Sequence, residues 1–382
     1  MRNNSEIRLQ RVVAYYCATL FALFSFSFMA FYQAPLLEML YDHVATGKLE
    51  FNAFVVSAVV TAFLTLLAIW LNRFARFQRE WTAMAYLPSS LILAFITDID
   101  RSVYTGEWSA WGWIATFMTG MFLYLFFSFV LNRMLFEKIK DLAMSTNRII
   151  WRNLILLVIL FSAVGMLSSS DGNIKRESFV ASYLKKGDLA KALNVGYEAL
   201  EASKELTALR AFVMSKEGSL GERLFEYPQY YGAGGLLPAK AQNSPLVPDS
   251  VFAMLGDVPR DKERPVDYFE RVAAYDSAAT VAKDYYLSAL LLEKRLPDFK
   301  ECLYQFCDTV DVDRLPKHYR EALFLYSTLE PEYSVEFLSD SMSVAFDSLR
   351  SIEARYDDII TRNNYVRRDF GRTYWWYFLY SD

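Results

Sequence analysis

Carboxylates that could take part in chemistry lie in two segments that separate apolar stretches. Glu38 and Asp42 lie in the first of these segments, and Asp98 lies in the third. Glu38 and Asp42 are four residues apart, so they share one helical face if residues 35–45 form a helix. A carboxylate can hold a metal ion or act as a general base, which makes these three residues catalytic candidates. The simpler interpretation is that the acids only mark the less basic side of a membrane.

The sequence carries few other groups that are suited to catalysis or metal binding. With three Cys and two His in the chain, we expect no metal site and no cofactor. No phosphate-loop, nucleophile-elbow or zinc-protease pattern occurs. His318 is interpreted as a surface or partly buried side chain at the start of a helix. Cys302 and Cys307 are too far apart for a disulfide on a continuous helix, so we expect two reduced, separately buried thiols unless the helix ends before Cys307.

The elements that position these residues follow from an uneven distribution of charge. Of 382 residues, 54% are hydrophobic, more than the roughly 45–50% of soluble proteins. Residues 1–172 contain 24 charged side chains and residues 173–382 contain 60. The net charge of −4 argues against a nucleic-acid partner, which would require a basic face. The first half therefore has the composition of a membrane domain, and the second half that of a water-soluble one.

Five apolar stretches predict a transmembrane domain over residues 1–169. The predicted spans are residues 12–31, 53–71, 81–97, 111–131 and 149–169. About 20 apolar residues cross a bilayer core, and the shorter third span carries Pro88, which predicts a kink. The spans contain no Asp, Glu, Lys, Arg or His except Arg152 at an edge. This pattern argues against an ion-coupled transporter or a channel but leaves open a pore lined by backbone or hydroxyl groups. A lipid or small-solute transporter is a further alternative.

The basic residues predict how the chain is oriented in the membrane. Eleven Lys and Arg lie in the N-terminal tail and in the second and fourth connecting segments, against two, Lys48 and Arg101, in the first and third. Because basic residues favour the cytoplasmic side, the N-terminus is predicted to be cytoplasmic. Five crossings then place residues 177–382 outside the cytoplasm, after a polar linker at residues 170–176.

Helical periodicity dominates the second half of the chain. Between Phe179 and Leu200 it predicts two helices around a turn at Gly187–Asp188. This segment resembles a tetratricopeptide (TPR) repeat. The matching positions are Tyr183, Gly187, Asp188, Ala192, Ala199 and Leu200. In that repeat small alanines allow close helix packing and Gly forms the turn.

A degenerate second copy of the repeat has its turn at Gly218, and further helices are predicted after it. Their ranges are 278–295, 298–310, 317–329 and 335–361. The predicted fold is therefore all-α, a five-helix transmembrane bundle followed by an irregular TPR-like α-solenoid. The resemblance to TPR proteins implies that this second domain binds a protein or peptide.

Aromatic clusters supply the candidate contacts with a partner. Tyr227, Tyr230 and Tyr231 lie in a long segment without helical periodicity, and Trp375 and Trp376 lie in an almost wholly aromatic C-terminal run. The tyrosines either contact a partner or pack their loop onto the helices. The C-terminal run either covers the last helix, lies on the membrane surface or binds a partner.

The whole chain resembles an uncharacterised family of bacterial inner-membrane proteins with N-terminal transmembrane helices and a C-terminal TPR-like region. The residues that carry this resemblance are 221–227, 235–238 and 371–375. It implies a multi-pass inner-membrane protein with a periplasmic C-terminal domain, in contact with membrane lipid and with a protein partner of the cell envelope. We therefore predict a scaffold. The alternative, from a resemblance to membrane glycosyltransferases, is an enzyme that acts on lipid-linked sugars through Glu38, Asp42 or Asp98.

Overall fold

The computed structural model of the chain is helical throughout the part that it describes. It describes residues 4–45, 51–75, 81–100, 111–133, 146–168, 171–238, 250–275, 280–306, 312–330 and 340–381. Across these residues it contains eighteen α-helices and no strand, which confirms the predicted all-α class. The chain divides into two compact units, Met1–Lys175 and Arg176–Asp382.

The first unit consists of apolar helices. They are α1 (Asn4–Ser27), α2 (Ala34–Ala45), α3 (Ala53–Ala75), α4 (Leu87–Thr97), α5 (Trp111–Arg133) and α6 (Thr146–Leu167). Three stretches are long and apolar enough to cross a membrane, and two further apolar stretches are shorter. The long ones are Arg8–Tyr32, Ala53–Phe74 and Thr146–Leu167, and the shorter ones are Thr82–Thr97 and Trp111–Phe127. All five predicted spans thus fall on apolar helices, and the unit has the character of a multi-pass membrane protein.

Helix α3 buries polar side chains and exposes apolar ones, the reverse of a helix in a water-soluble protein. Ser57 and Thr61 are buried, whereas Phe63 and Trp70 are 62% and 60% exposed. Other exposed side chains on this helix are Phe54, Val55, Val59, Leu66 and Phe74. An apolar face of this size is unfavourable in water and suited to lipid, so the burial pattern supports membrane anchoring.

The third apolar stretch changes helix type near Pro88. A 3₁₀ turn, Thr82–Tyr86, leads directly into α4, whose second residue is Pro88. Proline fits the first turn of an α-helix because the N–H that it lacks has no partner there. Asn153 on α6 accepts a hydrogen bond from the N–H of Ala83 at 2.8 Å. The predicted irregularity is therefore a helix start with side-chain support.

The second unit contains the remaining helices. They are α7 (Gly172–Lys185), α8 (Leu189–Asn194), α9 (Lys204–Glu217), α10 (Leu220–Arg223), α11 (Ser250–Leu255), α12 (Pro265–Ala273), α13 (Thr280–Leu292), α14 (Leu296–Phe306), α15 (Lys317–Leu329), α16 (Asp340–Arg355), α17 (Ile359–Phe370) and α18 (Tyr374–Tyr380). Helix α7 begins inside the predicted linker of residues 170–176. Asp171 accepts hydrogen bonds from the backbone N–H groups of Asn173 and Lys175, which starts the helix at this point.

The predicted TPR-like pair is only partly present. The turn at Gly187–Asp188 forms as predicted, with Gly187 at φ +73° and Asp188 capping α8. The prediction that the second helix extends through Ala199 is wrong, because α8 ends at Asn194. The buried Arg210 donates hydrogen bonds to the carbonyls of Val195 and Gly196 at 2.9 and 3.0 Å. These carbonyls therefore bind a side chain from α9 at the point where α8 stops.

The later helices differ from their predicted ranges mainly at their ends. Gly218 ends α9 at φ +73°, as the degenerate repeat predicts. The helix predicted for residues 335–361 is two helices, α16 and α17, because Asp358 caps α17 by accepting from the N–H of Thr361 at 2.8 Å. Residues 335–339 lie outside the described part. Helix α14 ends at Phe306, before Cys307, which lies outside the described residues. Cys302 is half-buried and forms no disulfide with a described cysteine.

Candidate partner-binding surface

The three loop tyrosines all hydrogen-bond to backbone but differ in exposure. Tyr227 is buried, and its hydroxyl donates to the carbonyl of Leu193 at 2.9 Å. Its ring lies 4.6 Å from the guanidinium carbon of Arg210, a cation–π contact. Tyr227 is therefore a core residue that packs the loop onto α8 and α9, and this burial favours the packing interpretation over a contact with a partner.

Tyr230 and Tyr231 form an exposed patch with Leu200, which we call the tyrosine patch. The two tyrosines are 59% and 43% exposed, and Leu200 is 61% exposed. Their hydroxyls donate to the carbonyls of Leu200 and Ala202 at 2.6 and 3.2 Å. The rings are thus held in place through their polar ends while their apolar faces stay accessible, an arrangement typical of binding surfaces.

The backbone beside the tyrosine patch is fixed by packing. Gly232 adopts φ +52°, a conformation that favours glycine. The N–H of Ala233 donates to Glu293, directly after α13, at 3.0 Å. At Gly235 a Cβ would lie 3.2 Å from a methyl group of Thr207, so the 3₁₀ turn Gly232–Leu236 lies close against α9. These contacts hold the patch at a defined position on the second unit.

The C-terminal aromatic helix is part of the core. Tyr374 and Trp375 are buried, which favours a packing role for Trp375 over a contact with a partner. The indole N–H of Trp375 donates to the carbonyl of Glu321 at 2.8 Å. Trp376 is half-buried and stacks on Tyr380 at 4.7 Å between ring centroids. Of the three interpretations of this run, packing onto the other helices is the one that the geometry favours.

A buried polar centre, the Glu321 centre, joins three parts of the second unit. It comprises His318, Glu321, Tyr374 and the backbone N–H of Phe225. Both side chains on α15 are buried, His318 completely and Glu321 to within 3%. The N–H of Phe225 donates to Nε2 of His318 at 3.3 Å, so this nitrogen carries no proton. The proton on Nδ1 is then donated to Oε2 of Glu321 at 2.9 Å.

The same carboxylate oxygen of Glu321 also holds the C-terminal helix. The N–H of Tyr374, at the start of α18, donates to Oε2 at 2.7 Å. His318 is therefore a fully buried structural residue and not the surface or partly buried side chain expected from the sequence. Phe225 lies 93 residues before His318, and Tyr374 lies 53 residues after Glu321. No local sequence pattern therefore indicates these contacts.

Arg210 is a second buried group that the sequence analysis missed. It is 1% exposed, and its pKa is lowered to about 10 by burial, against the raising influence of Tyr227. Its Nε and Nη1 atoms have no hydrogen-bond partner among the described residues. Its two bonds to the carbonyls of Val195 and Gly196 make it the residue that shapes the end of α8. Ala192 on α8 is buried, as its predicted packing role requires.

Glu38 and Asp42 lie on α2, which is helical as the catalytic alternative requires. Their spacing of four places them on one face of this helix. Asp98 belongs to another element, directly after α4, and its carboxylate accepts a hydrogen bond from the indole N–H of Trp113 at 2.7 Å. Among the described residues no three His, Cys, Asp or Glu side chains come together in a group that could hold a metal ion.

The C-terminal part of the chain matches a known protein family. Residues 256–381 match a family of unknown function, DUF6057. No curated protein and no solved structure matches the chain. The expected relation to an uncharacterised family is thus confirmed for the C-terminal region. The DUF6057 region contains His318, Glu321 and Tyr374, whereas the tyrosine patch lies before it.

Proposed function

We propose that the protein is a membrane-anchored scaffold of the bacterial cell envelope that presents the tyrosine patch to a protein partner. In this proposal all five apolar helices cross the inner membrane. The N-terminus is cytoplasmic, and the TPR-like helical unit is in the periplasm. The observation that carries the proposal is the patch itself. Two tyrosine rings are fixed by hydrogen bonds to backbone carbonyls and remain 59% and 43% exposed.

The TPR-like part of the proposal rests on how the helices pack. Helix α12 packs on α13, α13 on α14 and α14 on α15, as in a stack of helix pairs. Contacts of α10 with α15 add a connection between distant parts of the chain. The array is therefore irregular, and we infer that the patch is a local feature of it and not a repeated one.

Site-specific photocrosslinking tests the patch in the full-length protein. A benzoylphenylalanine residue replaces Tyr230 in one variant and Tyr304 in a control variant. Tyr304 lies on α14 and is 41% exposed, which makes it comparable in chemistry and accessibility. We expect a discrete crosslinked partner from position 230 that is absent from position 304. Equal crosslinking from both positions, or none from position 230, contradicts the proposal.

The topology is tested separately. The excess of basic residues in the tail and in the even-numbered connecting segments supports a cytoplasmic N-terminus. A reporter that is active only outside the cytoplasm, fused after residue 382, should be active. The same reporter fused after Arg76, between the second and third apolar helices, should be inactive. The reverse pattern would contradict the periplasmic location.

A second candidate function is an enzyme that acts on lipid-linked sugars. The helical conformation of α2 favours it, because Glu38 and Asp42 share a face there. Replacing Glu38, Asp42 or Asp98 by Ala should then change the glycan profile of the envelope while the protein level is unchanged. An unchanged profile in all three variants removes this candidate and leaves the scaffold.

A further inference from the structure

The interior of the first unit contains polar side chains without partners. Among the described residues, several buried oxygen and nitrogen atoms there make no hydrogen bond. They belong to Ser25, Gln33, Ser57, Thr61, Thr65, Asn72 and Ser90. We call the set Ser25, Gln33, Ser57, Thr61, Thr65 and Ser90 the polar seam. None of its members carries a charge.

The seam follows one face of α3 and the helices packed against it. Ser57, Thr61 and Thr65 are spaced by four residues and therefore lie on one side of α3. Helix α3 packs on α1 and α4, which carry Ser25 and Ser90. Phe26 of α1 lies 6.2 Å from Phe54 of α3 between ring centroids, so Ser25 is near the Ser57 end.

The other end of the seam is fixed by a hydrogen bond. The hydroxyl of Ser89 donates to the carbonyl of Leu64 at 2.9 Å, which places Ser90 near Thr65. The seam therefore runs between three helices and is not a set of scattered hydroxyls.

The seam hydroxyls lack a bond that is available elsewhere in the same unit. Thr97 on α4 donates to the carbonyl of Leu93 at 2.8 Å, the bond that a Ser or Thr in a helix makes to its own preceding turn. The seam hydroxyls do not make it. Burying such groups without partners is unfavourable, and native proteins usually satisfy them with other protein groups or with ordered water.

Gln33 indicates what kind of molecule the seam suits. It is 0% exposed, and neither its amide oxygen nor its amide nitrogen has a partner. It directly follows the π-helical turn Phe28–Tyr32, and π-helical turns are frequent at functional sites. An amide and a row of hydroxyls both donate and accept hydrogen bonds. They match a molecule that does the same and carries no net charge.

We propose that the polar seam is an internal binding site for uncharged hydroxyl-bearing molecules, of which water is the smallest. The site lies in the membrane-embedded unit and does not depend on the tyrosine patch. It is compatible with the absence of Asp, Glu, Lys and His from the predicted spans, in which Arg152 lies only at an edge. The competing explanation is that the hydroxyls rotate to bond their own helices and that the interior is dry.

Cysteine labelling tests whether the seam is wet. The full chain, with Cys17, Cys302 and Cys307 replaced by Ala, is reconstituted in lipid nanodiscs and carries Thr61→Cys. Val59→Cys on the exposed face of α3, at a similar depth, is the lipid-facing control. Val164→Cys, buried on α6, is the dry control.

A cysteine reacts as its thiolate, and the thiolate forms only where water reaches the side chain. A small methanethiosulfonate reagent should therefore label position 61 at least about tenfold faster than either control position. Equal rates at the three positions overturn the proposal. Glycerol at high concentration distinguishes the occupants. Slower labelling at position 61 indicates that a polyol binds, and an unchanged rate indicates water alone, both within the proposed class.

The sign of a stability change gives a test that does not depend on labelling. Thr61→Val keeps the shape of the side chain and removes its hydroxyl. If the hydroxyl is buried in a dry interior without any partner, this change removes an unpaired polar group and raises the melting temperature. If the hydroxyl binds a molecule, the melting temperature falls or stays the same. Thr97→Val, which loses an observed bond, should lower it in either case, and a rise for Thr61→Val alone overturns the proposal.

Discussion

Replacing Glu321 by Ala should release the C-terminal helix α18 from the core, whereas replacement by Gln should not. In the structure one carboxylate oxygen of Glu321 accepts from the N–H of Tyr374 at 2.7 Å and from Nδ1 of His318 at 2.9 Å. Ala removes this acceptor and leaves two buried donors unpaired. Gln keeps an oxygen that can accept from both.

The expected loss can be worked out from these two bonds. A buried donor left without a partner costs about 1–3 kcal/mol, so Glu321→Ala should destabilise the contact with α18 by about 3–5 kcal/mol. Glu321→Gln exchanges charge-assisted bonds for neutral ones and should cost about 1 kcal/mol. Because about 1.4 kcal/mol is a tenfold change, the first variant should raise the opening equilibrium of α18 at least about 100-fold.

Hydrogen exchange of the full-length protein measures this opening directly. The amides of Tyr374–Tyr380 should exchange at least about 100-fold faster in Glu321→Ala and about fivefold faster in Glu321→Gln. Glu301→Ala, a change at an exposed carboxylate on α14, is the matched control and should leave α18 unchanged. Exchange in α18 of Glu321→Ala at the rate of the unmodified protein would refute the role assigned to this residue.

Three further predictions concern the second unit. Burial raises the pKa of Asp284 to about 6, and a hydrogen bond from Tyr319 partly offsets this rise. The folded state therefore favours the protonated carboxyl, and the stability of the fold decreases as the pH rises through about 6 and the carboxyl ionises. Asp284→Asn should therefore raise the free energy of unfolding by about 1–2 kcal/mol at pH 7–8, and this gain should vanish near pH 4, as measured by denaturant titration. The side-chain hydrogen bond from Arg271 lowers the pKa of Glu263 to about 2, so its stabilising effect is complete above its unfolded value of roughly 4.3 and is lost as pH falls through about 2. Hydrogen exchange of residues 257–264 should accelerate over that acid range in the unmodified protein and show no such step in Glu263→Gln. Gly218→Ala should cost about 1–2 kcal/mol from backbone strain alone, because its φ is +73° and no atom lies near the added methyl group; an unchanged denaturation midpoint would contradict this reason.

The sequence predicts features that depend on local composition. The apolar helices of the first unit follow from length and hydrophobicity, and the turns at Gly187 and Gly218 follow from a residue that tolerates positive φ. Both signals lie within a few neighbouring residues, so a single sequence contains them.

Features that depend on distant partners were missed or misread. Helix α8 ends early, at the point where Arg210 donates hydrogen bonds to the carbonyls of Val195 and Gly196. Arg210 lies fourteen residues after Gly196 in the chain. Tyr227 and Trp375 look like exposed aromatics in the sequence, yet each is enclosed by other helices. Nothing adjacent to either residue indicates this burial, because the enclosing side chains come from other parts of the chain.

The Glu321 centre also constrains the order of events during synthesis. It joins Phe225, α15 and α18, so its first and last members are separated by about 150 residues of chain. Contacts over such distances form late, because closing a long loop costs entropy before the contact is gained. The apolar helices that precede residue 175 are made first and can insert while the second unit is still open. Until Tyr374 has emerged, the nascent unit exposes an incomplete core that a chaperone could bind.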